Sequence, residues 1–297
     1  MKVFITGATG FVGSAVVKEL IGAGHQVLGL ARSEESAKKL IEAGAEVQRG
    51  DLEDLESLRN GALASDGVIH AGFLHDFSRF AEVCQIDKIA IETIGNTLVG
   101  TNKPFLVTSG TALIKPGILA TENMESQHDL TKFPRVSEDA GLIFVNKGVR
   151  AMAIRLSPSV HGEGDQHGFV PIFIATAREK GKSAYIGNGE NRWNAVHRLD
   201  AAHLYRLALE NGVAGARYHA VADESITVKS ISEAIAQHLD IPLMAITAEE
   251  APAHFGWFAN FAGIDCPASS QLTRSQLNWR PKHPSLREDL ASGIYFK

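Results

Sequence analysis

Three glycines at intervals of three residues, Gly7, Gly10 and Gly13, lie near the start of the chain. They follow the apolar run Val3–Thr6 and open a segment whose apolar residues recur with helical spacing. Such glycines allow a tight bend, close approach of a ligand to the backbone, and close packing of the helix on the strand. The unpaired N–H groups at the helix start attract phosphates. This context predicts a dinucleotide-binding loop formed by Gly7, Thr9, Gly10, Phe11, Val12 and Gly13.

The end of the second predicted strand, Gln26–Ala31, bears on the choice of dinucleotide. Arg32 and Ser33 stand there in place of an acidic residue. An acidic side chain would bind the ribose hydroxyls, whereas the planar donor fork of an arginine suits a 2′-phosphate. We therefore predict that Arg32 and Ser33 bind NADP, with NAD as the possible alternative. A solvated surface arginine is the competing interpretation of Arg32.

The elements that must position these residues alternate along the chain. Strand-like and helix-like segments succeed one another, as a parallel sheet covered by helices on both faces requires. We predict an α/β fold: a doubly wound parallel sheet of Rossmann type over residues 1–157, and a smaller, interwoven, mixed α/β substrate-binding region over 158–297. The predicted strands after the second are Ala45–Gln48, Gly67–Ala71, Phe105–Thr108, Val149–Leu156 and Ala216–Ala222. The predicted helices include Phe11–Ala23, one opening at Ser33, Asp200–Glu210, and one opening near Ser230 with Glu233 three residues later.

Composition excludes several classes of function. The 297 residues carry a formal charge of −5, and their positive charges are too scattered to form a nucleic-acid-binding stripe. The sequence has no apolar stretch long enough to span a bilayer. Cys84 and Cys266 lie far apart and outside any metal-type spacing, so we expect inert packing residues, no metal and a cytoplasmic location. Hydrolase and nucleoside-triphosphatase motifs are absent, and we expect a small-molecule substrate.

Further motifs follow in an order that resembles the extended or atypical short-chain dehydrogenase/reductase superfamily, of the NAD-dependent epimerase/dehydratase type. The resemblance covers nearly the whole chain. Besides the glycines, its motifs are Asp51-Leu52, His70-Ala71-Gly72, Val107–Thr111, Arg155–Gly162, Val196–Asp200 and Leu277–Pro281. It implies an oxidoreductase, and it makes a homodimer possible because dimers are common in that superfamily.

The resemblance also implies roles for residues that follow strand ends. Asp51 and Leu52 would lie at the adenine. Ala71, Gly72 and Phe73 would lie near the ribose and diphosphate. Thr108 and Ser109 would lie beside the nicotinamide ribose. Leu156, Pro158 and Ser159 would face the nicotinamide. Ligands of open α/β sheets do bind beyond the carboxyl ends of the strands. Ordinary turn chemistry at strand ends is the alternative explanation.

One departure from the family pattern limits the mechanism. Its enzymes move a proton with a tyrosine assisted by a lysine four residues later. None of the four tyrosines, Tyr185, Tyr205, Tyr218 and Tyr295, has a lysine at that distance, and residues 130–137 contain no phenol. The candidates for catalytic groups are the hydroxyls of Ser109 and Thr111, which flank Gly110, and the imidazoles of His161 and His197. Arg135 and Lys147 could supply positive charge. Each of these side chains could equally be structural.

The favoured function is an NADP(H)-dependent oxidoreductase acting on a carbonyl or alcohol of a small organic molecule. Trp193 and the cluster His254–Phe258 are candidates for a pocket wall, with core packing as the more frequent role of such aromatics. A non-catalytic NADP(H)-binding or redox-sensing protein is the first alternative, because the tyrosine–lysine pair is missing. A sugar-nucleotide epimerase or dehydratase is the second, and the missing tyrosine weakens it too.

Overall fold

A parallel sheet of seven strands forms the centre of the molecule, in the order β10-β6-β5-β4-β1-β2-β3. The structure, a computed structural model, describes residues 1–131 and 133–296, so Lys132, within the stretch examined for a phenol, lies outside the described residues. The strands are β1 (Lys2–Thr6), β2 (Gln26–Ala31), β3 (Glu46–Arg49), β4 (Gly67–His70), β5 (Pro104–Gly110), β6 (Arg150–Leu156), β7 (Ser159–His161), β8 (Ser183–Ile186), β9 (Arg192–His197), β10 (Arg217–Ala220), β11 (Asp223–Thr227) and β12 (Leu243–Ile246).

Helices cover both faces of this sheet. They are α1 (Phe11–Gly22), α2 (Glu34–Glu42), α3 (Leu55–Leu63), α4 (Phe80–Thr97), α5 (Ser137–Leu142), α6 (Phe169–Lys180), α7 (Arg198–Asn211), α8 (Val228–Leu239), α9 (Ala251–Phe255), α10 (Ala259–Ala262), α11 (Gln271–Leu277) and α12 (Leu286–Ser292). One apolar core contains residues of α1, α2 and α7, and another contains residues of α3, α4 and α5. This arrangement confirms the predicted doubly wound fold. Among the described residues, no helix is long and apolar enough to cross a membrane.

Local signals explain where most elements begin and end. Ser33 caps α2 by accepting a hydrogen bond from the Ser36 amide, and Gly44 follows that helix with a positive φ of 83°. The predicted start near Ser230 is wrong, because α8 begins three residues earlier than the Ser230–Glu233 spacing indicated. Thr227 is the N-cap, and its hydroxyl accepts from the Ser230 amide at 3.3 Å. The helix itself was predicted correctly.

The C-terminal part forms a second lobe around its own apolar core. Sheets β11-β9-β7 and β12-β8 surround the buried rings of Trp193, Phe173 and Phe258. Two elements of this part return to the first lobe: β10 pairs in parallel with β6, and α7 packs along α1. The carboxyl ends of the sheet strands therefore face the second lobe, which is where a doubly wound fold binds its ligands.

Candidate functional site

The loop between β1 and α1 has the geometry that a bound diphosphate requires. A Cβ atom at Gly7 would lie 2.7 Å from the Ala71 carbonyl, and one at Gly13 would lie 2.0 Å from the Gly7 oxygen. These two glycines therefore serve close packing within the protein. Gly10 differs, because a Cβ there would meet only the Gly7 oxygen, at 3.2 Å. The exposed side of Gly10 is thus the side from which a ligand can approach the backbone.

The start of α1 is electrostatically prepared for an anion. Gly10 is its N-cap and provides no side chain to bond the first amides, and its first turn contains no acidic residue. The free N–H groups and the positive end of the helix dipole favour a phosphate. Thr9, Phe11 and Val12 are half-buried around this point. The residues present therefore fit the diphosphate of a dinucleotide.

The residues predicted at the adenosine end lie beyond β2 and β3. Arg32 is exposed, and its guanidinium makes no hydrogen bond or ion pair within the described chain. Ser33 is occupied as the cap of α2. Glu34, the acidic residue next in the chain, is bound by Arg49 at 2.7 Å. Arg32 is thus available for a phosphate.

Asp51 and Leu52 follow β3 and line the same edge. Asp51 is exposed, and its carboxylate accepts from the amides of Glu53 and Asp54 at 2.9 and 3.0 Å. Leu52 is buried beneath the loop after β4, where a Cβ at Gly72 would lie 3.2 Å from its Cδ2. This apolar contact supports the loop that would border the adenosine.

A buried hydrogen-bond chain fixes that loop. Thr6 Oγ1 accepts from the Gly72 amide at 3.1 Å and lies 2.9 Å from His70 Nδ1. His70 Nε2 lies 3.1 Å from Asp87, and an ionised carboxylate only accepts, so Nε2 donates and Nδ1 accepts from Thr6. Burial raises the pKa of Asp87, but hydrogen bonds from His70 and Ser137 together with the charge of Arg135 leave it below its ordinary value. The chain holds Ala71 and Gly72 beside the glycine turn.

The side chains at the end of β5 point alternately to opposite faces of the sheet. Thr108 Oγ1 donates to the His70 carbonyl at 2.7 Å and lies 2.7 Å from the Tyr205 hydroxyl of α7. Ser109 points to the other face, which α5 covers. Its side chain is buried, and within the described chain its hydroxyl has no hydrogen-bond partner. Thr111, in contrast, donates towards Leu156 O and Asn194 Oδ1. Ser109 is therefore the hydroxyl that remains available.

Arg135 places a cation at the carbonyl of Thr108, the residue that precedes Ser109. Its Nε donates to Ser137 Oγ at 2.9 Å, and its Nη2 donates to the Thr108 carbonyl at 3.1 Å. The guanidinium carbon lies 4.2 Å from the centre of the Phe73 ring, a cation–π contact. Ser137 in turn donates to Asp87. The cation is thus held by the same buried network that positions the loop after β4.

The residues after β6 border the candidate site in addition to those after β4 and β5. Leu156 and Pro158 are half-buried, and the Leu156 carbonyl is the acceptor for Thr111. The Ser159 hydroxyl is buried without a hydrogen-bond partner. A buried hydroxyl of this kind costs free energy until something bonds to it.

His161 and His197 lie together in the second lobe. His161 Nδ1 donates to Asp289 at 2.6 Å, and its Nε2 is buried without a partner. His197 Nδ1 accepts from the Leu199 amide, and its ring stacks on that of His283. Burial and the neighbouring His161 lower the pKa of His197 to about 4. All these contacts are to the second lobe, and none joins either imidazole to Ser109.

A cleft of about 480 Å³ lies between the lobes. His75, Asp76 and Ser78, from the segment after β4, face Trp257 of the second lobe across it. Trp193 is completely buried, and of the predicted aromatic cluster His254–Phe258 only Trp257 lines this cleft; the rings of Phe255 and Phe258 are core. The cleft can admit a small molecule.

Comparisons with known proteins identify relatives of this chain. Residues 3–83 match the NAD dependent epimerase/dehydratase family. An uncharacterized protein of Schizosaccharomyces pombe is 50% identical over 298 residues, covering 100% of both chains. The chain belongs to the NAD-dependent epimerase/dehydratase family. The decarboxylating sterol-4-alpha-carboxylate 3-dehydrogenase of Dictyostelium discoideum is 27% identical over 76% of this chain and 72% of its own. A dTDP-glucose 4,6-dehydratase from Streptomyces venezuelae, solved with NAD bound, has the same fold, with a TM-score of 0.77 and 17% identity over 99% of this chain and 96% of that one.

Membership of the NAD-dependent epimerase/dehydratase family confirms the resemblance read from the motifs and makes NAD(P) the cofactor class. Tyr205, which lies beside the end of β5, does not replace the missing pair of this family. Tyr205 is fully buried against Thr108, and burial raises its pKa, which is the opposite of what a proton-transfer phenol needs. Cys84 and Cys266 are buried thiols, and burial raises their pKa values to about 11 and about 12.

Two parts of the candidate site were not predicted from the sequence. The His70–Asp87 pair joins residues 17 positions apart on a strand and a helix, a spacing that no motif marks. Arg198 was quoted only as part of a motif, yet it reaches the start of α1. A cation at the first position of a helix opposes the helix dipole, and that was the signal in the sequence.

Proposed function

We propose that this protein is an NADP(H)-dependent oxidoreductase that interconverts a carbonyl and an alcohol on a small organic molecule. The observation that carries the proposal is the presence, at the end of β5, of a hydroxyl without a hydrogen-bond partner and of a cation that forms no direct ion pair within the described chain. Ser109 is that hydroxyl, and Arg135 is that cation; it bonds the carbonyl of the preceding residue, Thr108. The resemblance to the family implies proton-transfer residues in these two parts of the chain, which supports the proposal.

The proposed roles follow from the chemistry of these groups. A bound nicotinamide supplies or accepts the hydride. Ser109 donates a hydrogen bond to the substrate oxygen and so orients the carbonyl, and Arg135 stabilises the negative charge that develops on that oxygen. Water entering through the cleft supplies the proton, because neither side chain loses one readily near neutral pH. The cleft residues His75 and Trp257 contact the rest of the substrate.

Preference for NADP is supported by the exposed, unpaired guanidinium of Arg32. The acidic residue that follows, Glu34, is already bound by Arg49. A 2′-phosphate at this edge would therefore meet a free cation. The NAD seen in the dehydratase of similar fold makes NAD the competing coenzyme.

A turnover assay tests the activity. Purified protein is incubated with NADPH and a broad panel of aldehydes and ketones, and loss of nicotinamide absorbance is recorded. We expect turnover that falls roughly 100-fold or more in Ser109→Ala and Arg135→Gln, in line with the loss of one oxyanion donor. Thr111→Ser, which keeps the hydroxyl bonded to Asn194, is the matched control. Absence of turnover across the panel would count against an oxidoreductase.

A titration tests the coenzyme preference. Arg32→Asp should weaken NADPH binding far more than NADH binding, because only NADPH carries the 2′-phosphate. Arg59→Asp, at an exposed arginine of α3 paired with Glu56, is the control for a change in surface charge. Equal weakening of both coenzymes by the Arg32 substitution would refute the assignment.

A non-catalytic redox sensor is the second candidate, and the missing tyrosine and lysine favour it. A sensor binds NADPH and NADP with different affinities and transfers no hydride. Calorimetry that gives equal affinities for the two forms, in a protein without turnover, would exclude the sensor as well. An epimerase or dehydratase would show conversion of a sugar nucleotide without net consumption of coenzyme.

A further inference from the structure

Arg198, the first residue of α7, reaches across to the first turn of α1. Its Nη2 donates to Ser14 Oγ at 2.9 Å, and its Nη1 donates to the Glu163 carbonyl at 3.0 Å. Its guanidinium carbon lies 4.3 Å from the centre of the Phe11 ring. These contacts hold the positive group beside the amides at the start of α1, although it comes from beyond residue 157.

Positive charge is concentrated here, and Asp165 is the nearby anion whose charge acts on Arg198. The starts of α1 and α7 both carry the positive end of a helix dipole, where a further cation is unfavourable. The first turn of α1 has no acidic residue. Asp200, the acidic residue in the first turn of α7, is occupied by the amides of Lys282 and His283 and by the His283 ring. Arg198 itself makes no ion pair within the described chain.

A second arginine of α7 shows that this arrangement is not a general property of the helix pair. Arg206 also reaches α1, but it bonds the carboxylates of Glu19 at 2.7 Å and Glu210 at 3.1 Å. At Arg198, in contrast, only two of the five N–H donors have acceptors, and Nε is buried without one. A buried donor without a partner is costly, so the contacts within the protein do not account for this residue.

The loop after β7 keeps Arg198 in place. Gly162 has a φ of +129°, and a Cβ there would lie 3.3 Å from Arg198 Cγ. Asp165 in the same loop accepts from the Gly168 amide at 2.9 Å and from Tyr295 at 3.1 Å. Burial lowers the pKa of Arg198, and the charge of Asp165 acts against that shift. Residues of the second lobe thus hold the guanidinium in place.

We propose that Arg198 binds the diphosphate of the dinucleotide, so that the second lobe contributes a cation to the coenzyme site. This inference rests on the proposed function, since it needs a coenzyme to bind at the start of α1. The planar guanidinium offers its remaining donors to phosphate oxygens, and the anion neutralises the two helix starts and the arginine together. Coenzyme binding then joins the two lobes through Arg198.

Calorimetric titration of the full chain tests the proposal. The variants are Arg198→Met, Arg198→Gln and, as the matched control, Arg206→Met. The probes are NADPH, NADH, ADP-ribose and adenosine 2′-monophosphate. We expect Arg198→Met to weaken the first three probes by a similar factor, roughly 10- to 100-fold, because all three contain the diphosphate. Adenosine 2′-monophosphate, which lacks it, should bind as before. Arg206→Met should lower the melting temperature and leave every affinity within about twofold of wild type.

The outcomes separate this inference from the proposed function. If the unchanged protein binds none of NADPH, NADH and ADP-ribose, the proposed function fails, and the inference fails with it. If the unchanged protein binds NADPH and Arg198→Met binds it equally well, only the inference is overturned. Equal weakening of adenosine 2′-monophosphate would also overturn it, since the effect would then be on the fold. If circular dichroism shows Arg198→Met to be unfolded, Arg198→Gln, which also removes the charge but keeps a polar side chain, decides, and wild-type affinity for NADPH would contradict the proposal.

Discussion

Alanine substitutions at Gly10 and Gly13 separate the two roles of the glycine turn. These roles are to let a ligand approach the backbone and to let the turn pack closely on α1. Gly10 has a φ of −72° and a ψ of 173°, which alanine adopts readily, and its new methyl would touch only the Gly7 oxygen at 3.2 Å. Gly13 would instead place its methyl 2.0 Å from the same oxygen. The first substitution fits the protein alone and obstructs the ligand; the second does not fit the protein.

The expected magnitudes follow from these distances. An N–H···O bond to a phosphate needs about 2.7–3.2 Å between heavy atoms, which a methyl on Gly10 prevents. Losing one hydrogen bond to a charged group costs about 1.5–3 kcal/mol, so coenzyme affinity should fall roughly 10- to 150-fold in Gly10→Ala. Its stability should fall by only about 1 kcal/mol, because alanine is a poorer N-cap than glycine. In Gly13→Ala the overpacking, about 1–3 kcal/mol, outweighs the gain in helix propensity of about 1 kcal/mol.

The assay combines urea unfolding and coenzyme titration on wild type, Gly10→Ala and Gly13→Ala. Gly10→Ala should unfold nearly as wild type does and bind NADPH weakly, whereas Gly13→Ala should be impaired in both. Wild-type affinity in Gly10→Ala would show that the diphosphate does not lie over this residue. Wild-type stability in Gly13→Ala would show that the turn does not pack on the helix as described.

Three further predictions concern buried polar groups. Arg155→Met should destabilise the protein by about 3 kcal/mol or more in urea, because it breaks the buried pair with Glu138, where Nε and Oε2 lie 2.7 Å apart; a loss below 1 kcal/mol would contradict this. Burial, with the charge of Arg155, lowers the pKa of His219 to about 3 from 6.5, so unfolding takes up a proton between these pH values. Stability should therefore fall as the pH falls through this window, by ~1.4 kcal/mol per pH unit from this group, and less steeply in His219→Gln; an unchanged slope would refute the assignment. Tyr205→Phe should lower the free energy of unfolding, measured in urea, by about 1 kcal/mol through loss of the hydrogen bond to Thr108. Unchanged stability would show that this hydrogen bond does not stabilise the fold.

Local sequence signals account for most of the first lobe. The strand Gln26–Ala31 was predicted with the bounds that the structure has, because an apolar run ends at Arg32 and a serine cap follows. The helix after the glycine turn was predicted to within one residue of its end. These features depend on neighbours in the chain, where caps, glycines and periodicity are visible.

Long-range pairing explains what the sequence did not reveal. Within residues 114–131 and 133–136, between the short turn after β5 and α5, the structure describes no helix or strand, yet this segment carries Arg135 to the Thr108 carbonyl. Arg198 meets Ser14 across 184 positions. Such contacts depend on how the lobes fold onto each other, and spacing rules describe only a single helix, strand or turn. The glycine loop and Arg32 could therefore be predicted from the sequence, whereas the contacts that place Arg135 and Arg198 could not.

The return of β10 and α7 to the first lobe also limits how this protein can be divided. A fragment ending at residue 157 would lack the edge strand that pairs with β6 and the helix that shields α1, leaving the apolar side of α1 exposed to water. Autonomous refolding of such a fragment is not expected, and a chimera that exchanged everything after that point would have to recreate the α1–α7 interface. Exchange of the whole second lobe between relatives would therefore disrupt the α1–α7 contacts unless both halves came from the same parent.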